Sequence, residues 1–144
     1  MRPRYFAYGS NLTVSRMQQR VPSATSLGVA RLEQHRLAWD KLGADGTGKA
    51  NLARCEDSIV WGVVYGLDPG AWATLDRFEP GYERISVRVS LAGDLVACTT
   101  YLAPGHPEVP APHGWYQDLV IEGARAHGLP ADYLRALERI RGER

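Results

Sequence analysis

The residues with the clearest potential for chemistry lie near the start of the chain. An apolar and aromatic run at residues 5–8 leads directly into Gly9, Ser10 and Asn11. Glycine permits a sharp backbone turn, and serine and asparagine are favourable residues at the start of a helix. The pattern predicts a strand, a tight loop and a helix start, whose unpaired backbone N–H groups could hold an anion or a developing oxyanion. Ordinary connections between strands and helices have the same form, so the spacing alone leaves both interpretations open.

The second candidate is Glu79, which follows an apolar segment with helical spacing and precedes Pro80 and Gly81. At the end of an element its side chain can enter a cleft. The negative end of a helix dipole and burial would both raise the pKa of this carboxyl toward neutrality, where a general base is effective. The alternative is an exposed glutamate at a helix end, which is a common position for this residue type.

Several segments together resemble the γ-glutamylcyclotransferase family, and they occur in the family's order along the chain. They are Tyr-Gly-Ser-Asn at residues 8–11, the strand-like residues 51–53 and 60–65, the Leu-Asp-x-x-Glu element at residues 75–79, and residues 123–133, which are similar to its C-terminal helix pair. The resemblance extends from Tyr5 to about Ile140. One departure is Pro80, because the family usually has glycine directly after the glutamate.

The resemblance implies that a γ-glutamyl amine or peptide is cyclised to 5-oxoproline with release of the amine, without metal or cofactor. It makes Glu79 the catalytic general acid/base. It places the glutamyl end of the substrate against the N–H groups of the loop and the hydroxyl of Ser10. The substrate-binding candidates are Tyr8, Gly9, Ser10, Asn11, Tyr82 and Tyr116. The tyrosines among them are also compatible with ordinary core packing.

Apolar periodicity predicts the elements that must position these residues. Strands are expected at residues 4–8, 28–40, 59–67, 83–91 and 95–102, and helices at residues 13–20, from Asp68 onward, at 115–127 and at 131–141. Apolar and polar residues alternate over 83–91, and residues 92–94 are expected to form a hairpin turn into the next strand. Asp68 is the expected N-cap of the second helix, and Trp72, Leu75 and Phe78 its inner stripe. These elements predict one α+β domain over residues 1–144. The resemblance to the family further implies a small mixed, mainly antiparallel β-barrel of five or six strands with surrounding helices.

Composition narrows the class of protein. A net charge of +1 on 144 residues gives no field that would attract nucleic acid. No apolar stretch approaches the roughly 20 residues of a membrane helix, and no signal peptide opens the chain. Cys55 and Cys98 match no metal spacing, which predicts two free thiols in a reducing cytoplasm. Fifteen of the 17 basic residues are arginine.

Several alternatives stay open at this point. A non-catalytic binding module on the same fold would not require a buried base, and an acyl transferase could use one of the cysteines. A metal site at His106 and His113 lacks a third ligand at a recognisable spacing. A homodimer through exposed Trp115 or Tyr133 is one option for assembly. The sequence does not define the amine half of the substrate, which loops 42–49 and 103–114 are expected to determine.

Overall fold

The computed structural model describes residues 2–142, in which five strands form a closed barrel accompanied by four α-helices. The strands are β1 (Arg4–Ala7), β2 (Thr25–Leu42), β3 (Gly48–Gly66), β4 (Glu83–Leu91) and β5 (Asp94–Leu102). The helices are α1 (Val14–Arg20), α2 (Ala71–Arg77), α3 (Gly114–Ala126) and α4 (Ala131–Gly142), and a 3₁₀ turn spans Ser10–Leu12. None of the helices between residues 2 and 142 is long and apolar enough to cross a membrane.

The strand order around the barrel is β1-β3-β2-β4-β5. All neighbouring strands are antiparallel except β1 and β5, which close the barrel through a parallel pairing at Tyr5 and Thr99. Phe6 and Ala7 of β1 have no exposed surface. The predicted small, mixed and mainly antiparallel barrel is therefore confirmed.

The first long hairpin is more extensive than the sequence predicts. Strands β2 and β3 contain 18 and 19 residues, whereas periodicity predicts strands only at residues 28–40 and 59–67. Three register shifts interrupt their pairing, and Gln34 has a positive φ of 62°. Bulges of this kind break the alternation of side chains, which hides the continuity of a strand from a pattern analysis. The loop predicted at residues 42–49 is shorter, because Lys41 pairs with Lys49 and Leu42 with Gly48.

The second hairpin agrees with its prediction. Val89 is fully buried and the outward-facing Arg88 is exposed, as the alternation in β4 predicts. The turn to β5 contains Ala92 and Gly93, both with positive φ. A two-residue turn in which both residues have a positive φ matches the right-handed twist of the strands that it connects.

Helix α2 differs from its prediction at both ends. Its N-cap is Gly70 and no side chain caps it, whereas Asp68 lies 3.6 Å from the guanidinium of Arg2. Leu75 is fully buried, but Phe78 is 45% exposed because the helix ends at Arg77. The ring of Phe78 instead lies under the guanidinium of Arg20, 5.0 Å from the ring centroid.

The helices hold the N-terminal loop in place. Gly123 of α3 lies against Leu12 and Thr13, where an added Cβ would approach their backbone to 2.8 Å. This close approach requires glycine and packs α3 directly on the 3₁₀ turn. Of the two aromatic residues suggested for an interface, Trp115 is 55% exposed, whereas Tyr133 is not exposed as expected but packs half-buried against the core.

Candidate active site

The loop after β1 is fixed by its neighbours. A Cβ at Gly9 would lie 3.1 Å from the Cβ of Ala50 and 3.6 Å from the hydroxyl of Tyr116, which explains the small residue. The turn is closed by a hydrogen bond of 3.1 Å from Leu12 N to Gly9 O. The hydroxyl of Tyr65 donates to the carbonyl of Asn11 at 2.8 Å. The first N–H groups of such a turn have no partner within it.

All of the site residues suggested by the sequence line one small cavity of about 30 Å³, the inner cavity. These residues are Tyr8, Gly9, Ser10, Asn11, Glu79, Tyr82 and Tyr116. Tyr5, Ala50 and Tyr101 complete the lining. The barrel thus brings together segments that are far apart in the chain.

Glu79 enters the inner cavity from the turn after α2. Its side chain is only 14% exposed, so the alternative of an exposed glutamate is wrong. The amide nitrogen of Asn11 donates to its Oε1 at 3.0 Å, and the guanidinium of Arg20 lies 3.6 Å from the same oxygen. Burial raises the pKa of Glu79 to about 7, although Arg20 and Asn11 act in the opposite direction. A carboxyl with this pKa can accept and return a proton near neutral pH.

A network of hydrogen bonds sets the orientation of Asn11. Arg20 donates to the side-chain oxygen of Asn11 at 3.2 Å, which directs the amide nitrogen toward Glu79 and toward the hydroxyl of Tyr5, each at 3.0 Å. Asn11 is 3% exposed. The amide therefore couples the positive charge of Arg20 to the carboxyl of Glu79.

The phenols around the inner cavity make defined hydrogen bonds. Tyr8 donates to the carbonyl of Tyr101 and Tyr82 to the carbonyl of Ala50, both at 2.6 Å. Tyr116 accepts a hydrogen bond of 3.0 Å from the N–H of Ala50. Burial raises the pKa of Tyr116 to about 12 and that of Tyr8 well above its ordinary value. These phenols are thus neutral hydrogen-bonding groups at physiological pH.

A larger groove of about 260 Å³, the outer groove, adjoins the inner cavity and shares Ser10, Glu79, Tyr82 and Tyr116 with it. Four basic residues line the groove, namely Arg16, Arg20, Lys41 and Lys49. None of the four was predicted individually as a site residue. One available signal was the position of the lysines, since Lys41 directly precedes the glycine-rich loop expected to contact the substrate and Lys49 is its last residue.

The two loops suggested as substrate contacts differ in the structure. Gly43, Ala44 and Asp45 of the first loop line the outer groove. Residues 103–114 line neither the inner cavity nor the outer groove, so the role of the second loop stays a prediction. Within residues 2–142, no group of three histidine, cysteine, aspartate or glutamate side chains is placed to hold a metal ion.

Comparisons with known proteins show to which family the chain belongs. The model of the AIG2-like family matches residues 59–137. The γ-glutamylcyclotransferase of Bos taurus is 33% identical over 94% of this chain and 77% of the bovine protein, and that of Homo sapiens is 32% identical with the same coverage. A solved structure of a γ-glutamyl cyclotransferase is 30% identical, covers 96% of this chain and 87% of its own, and superposes with a TM-score of 0.86. The chain belongs to the γ-glutamylcyclotransferase family.

Proposed function

We propose that the protein cyclises a γ-glutamyl amine or peptide to 5-oxoproline and releases the amine, with Glu79 as the general acid/base. The observation that carries this proposal is the buried carboxyl of Glu79 in the inner cavity, hydrogen-bonded by Asn11 and beside the loop of Gly9 and Ser10. Burial raises its pKa to about 7. The names of the relatives support the same reaction.

The reaction moves two protons from the attacking nitrogen to the leaving nitrogen, because the α-ammonium group becomes the N–H of the lactam and the amide N–H becomes the ammonium of the released amine. Ionised Glu79 removes a proton from the α-ammonium group of the substrate, and the resulting amine attacks the γ-carbonyl carbon. Protonated Glu79 then returns the proton to the amide nitrogen as the bond between carbon and nitrogen breaks. The ionised carboxylate takes the second proton, which the attacking nitrogen loses once its new bond has formed, and passes it to the released amine. Because nucleophile and electrophile belong to one molecule, the inner cavity need only hold the substrate in a folded conformation.

The negative charge that develops on the γ-carbonyl oxygen requires hydrogen-bond donors. The N–H groups of Ser10 and Asn11 begin the 3₁₀ turn and belong to residues that line the inner cavity. The hydroxyl of Tyr116 accepts from Ala50, which leaves its own proton for a substrate oxygen. We assign the glutamyl end of the substrate to these groups, together with Tyr8, Gly9 and Tyr82.

The competing functions have less support. A binding module would not require a carboxyl with a raised pKa at the base of its pocket. A cysteine nucleophile is disfavoured because neither free thiol lines the inner cavity or the outer groove. Cys98 is buried, and burial raises the pKa of its thiol, which reduces the fraction of reactive thiolate.

The test is release of 5-oxoproline from a panel of γ-glutamyl amino acids and amines by the wild type and by Glu79→Gln. We expect kcat to fall about 10²- to 10⁴-fold in the variant, the usual contribution of a general acid/base, with substrate binding retained. Glu56→Gln is the matched control because Glu56 is exposed on β3. Equal release by Glu79→Gln and the wild type would refute the role of Glu79.

A further inference from the structure

We propose that the outer groove selects an acidic amino acid as the leaving amine, with the ammonium group of Lys41 binding one of its two carboxylates. The inference rests on the proposed function and defines the amine half of its substrate. Four observations support it: the placement of the lysines, the surroundings of Lys41, the pairing of Asp45 and the charge balance of the groove.

The chain contains two lysines among its 17 basic residues, and both lie in the outer groove. Lys41 of β2 and Lys49 of β3 are register partners in the hairpin. Like charges at directly opposite positions destabilise a pair of strands. A bound anion would compensate for this repulsion, which gives the arrangement a physical purpose.

Lys41 is only 7% exposed, yet its ammonium group faces the outer groove without an acidic partner. No carboxylate of residues 2–142 lies within 4.0 Å of its Nζ. The Nζ atom lies 5.0 Å from the ring centroid of Tyr82 and would be 3.1 Å from a Cβ added at Gly81. Burial lowers the pKa of Lys41, the charge of Glu79 raises it, and the weaker effects of Lys49 and Asp45 lower and raise it respectively. The ammonium therefore has no counter-ion in direct contact, and Glu79 and Asp45 act on it only from beyond 4.0 Å.

Asp45 does not supply that counter-ion, because it is already engaged. Its carboxylate accepts hydrogen bonds from the backbone and hydroxyl of Thr47 at 3.0 and 2.7 Å and from Lys49 at 3.0 Å. These contacts hold the pKa of Asp45 well below its usual range. The pairing with Lys49 leaves Lys41 as the uncompensated member of the two lysines.

The charge balance of the groove indicates two carboxylates on the leaving amine. Four basic side chains face two acidic ones, Asp45 and ionised Glu79. The glutamyl end of the substrate carries one ammonium and one carboxylate, so it adds no net charge. Two positive charges are then left for the amine half, which matches the α-carboxylate and side-chain carboxylate of aspartate or glutamate.

The experiment compares γ-glutamyl-glutamate with γ-glutamyl-glutamine, two compounds of nearly equal shape that differ by one carboxylate. We expect the wild type to prefer the glutamate compound about 10- to 100-fold in kcat/KM, mainly through KM, as a charge-assisted hydrogen bond provides. Lys41→Met keeps the apolar stem and should bring this ratio close to 1. Lys41→Arg keeps the positive charge and should preserve most of the preference. Arg36→Met, an exposed residue of β2 outside the groove, is the matched control.

A ratio that Lys41→Met leaves unchanged would overturn the proposal, as would an equal loss on both compounds. If the wild type releases no 5-oxoproline, the proposed function is refuted, and binding then decides the inference separately. In that case calorimetry with Glu79→Gln, alone and combined with Lys41→Met, measures the same two compounds. Selective binding of the glutamate compound that Lys41→Met removes would support the groove as an anion site, and no selectivity would refute it.

Discussion

Replacing Glu79 by glutamine should stabilise the protein at alkaline pH while it abolishes the base. Because burial raises the pKa of Glu79 from 4.5 to about 7, the folded protein keeps a proton that the unfolded chain releases as the pH rises between these values. Stability therefore falls over this interval, and the full cost is present above pH 7. Ionisation of Glu79 in the folded protein therefore lowers the free energy of unfolding by about 3 kcal/mol at pH 8 and by less than about 1 kcal/mol at pH 5.

Glutamine does not ionise, so the variant does not incur this cost. Its side-chain oxygen can still accept from Asn11 at the position where Glu79 accepts now. Because about 1 kcal/mol shifts the Tm of a chain of this size by roughly 3 °C, we expect Glu79→Gln to melt about 7 °C higher relative to the wild type at pH 8 than at pH 5. This comparison cancels any effect of the amide that does not depend on pH.

Thermal unfolding followed by circular dichroism at the two pH values measures this difference. Glu56→Gln, which removes an exposed carboxylate, should give the same Tm shift at both. If the Tm difference between Glu79→Gln and the wild type is the same at pH 5 and pH 8, the carboxyl is not held protonated by burial, and the argument for its raised pKa is wrong.

Two further predictions concern the surroundings of the site. Arg20→Met removes a positive charge 3.6 Å from Glu79, so the pKa of Glu79 should rise. The ascending limb of the plot of kcat/KM against pH should then move to higher pH by up to about one unit. An unchanged position of this limb would contradict the coupling between Arg20 and Glu79. Gly62→Ala places a Cβ against the backbone carbonyl of Ala7 and should destabilise the protein by about 1–3 kcal/mol. Gly70→Ala has open space and should leave the Tm nearly unchanged.

The parts of the fold that were predicted correctly from the sequence are those determined by local residue patterns. The alternation over residues 83–91 depends only on which face of β4 meets the core, and the turn at Ala92 and Gly93 depends on two adjacent residues. The segment from Tyr8 to Asn11 was informative because it resembles a family motif, and the structure gives a packing reason for its glycine, which lies against Ala50 and Tyr116.

Features that depend on tertiary contacts were not predictable in the same way. The bulge near Gln34 divides β2 into two segments whose alternation of inward and outward side chains is out of step. The sequence pattern therefore predicts shorter strands than the hairpin contains. Asp68 has the composition of an N-cap, but it lies three residues before Ala71 and faces Arg2 instead. Local preference for a cap was overridden by the path of the chain.

The outer groove was hidden for a related reason. Arg16 and Arg20 lie on α1, whereas Lys41 and Lys49 lie on the long hairpin, and no local pattern links the two elements. Only closure of the barrel places the four charges along the groove that Glu79 also lines. The inner cavity could be anticipated because its residues resemble a family, while the charges that face the amine half required the structure.

The pairing of β1 with β5, the seam that closes the barrel, affects which part of the molecule unfolds first. The long hairpin pairs strands that are adjacent in sequence, whereas the seam joins distant strands through the pairing of Tyr5 with Thr99 and a hydrogen bond from the Thr100 hydroxyl to the carbonyl of Phe6. Contacts that close large loops form slowly, and weakly secured regions open before the whole molecule unfolds. Amide hydrogens of β1 should therefore exchange before those at the centre of the hairpin. Since the loop of Gly9, Ser10 and Asn11 continues β1, partial opening would inactivate the protein while most of its sheet persists.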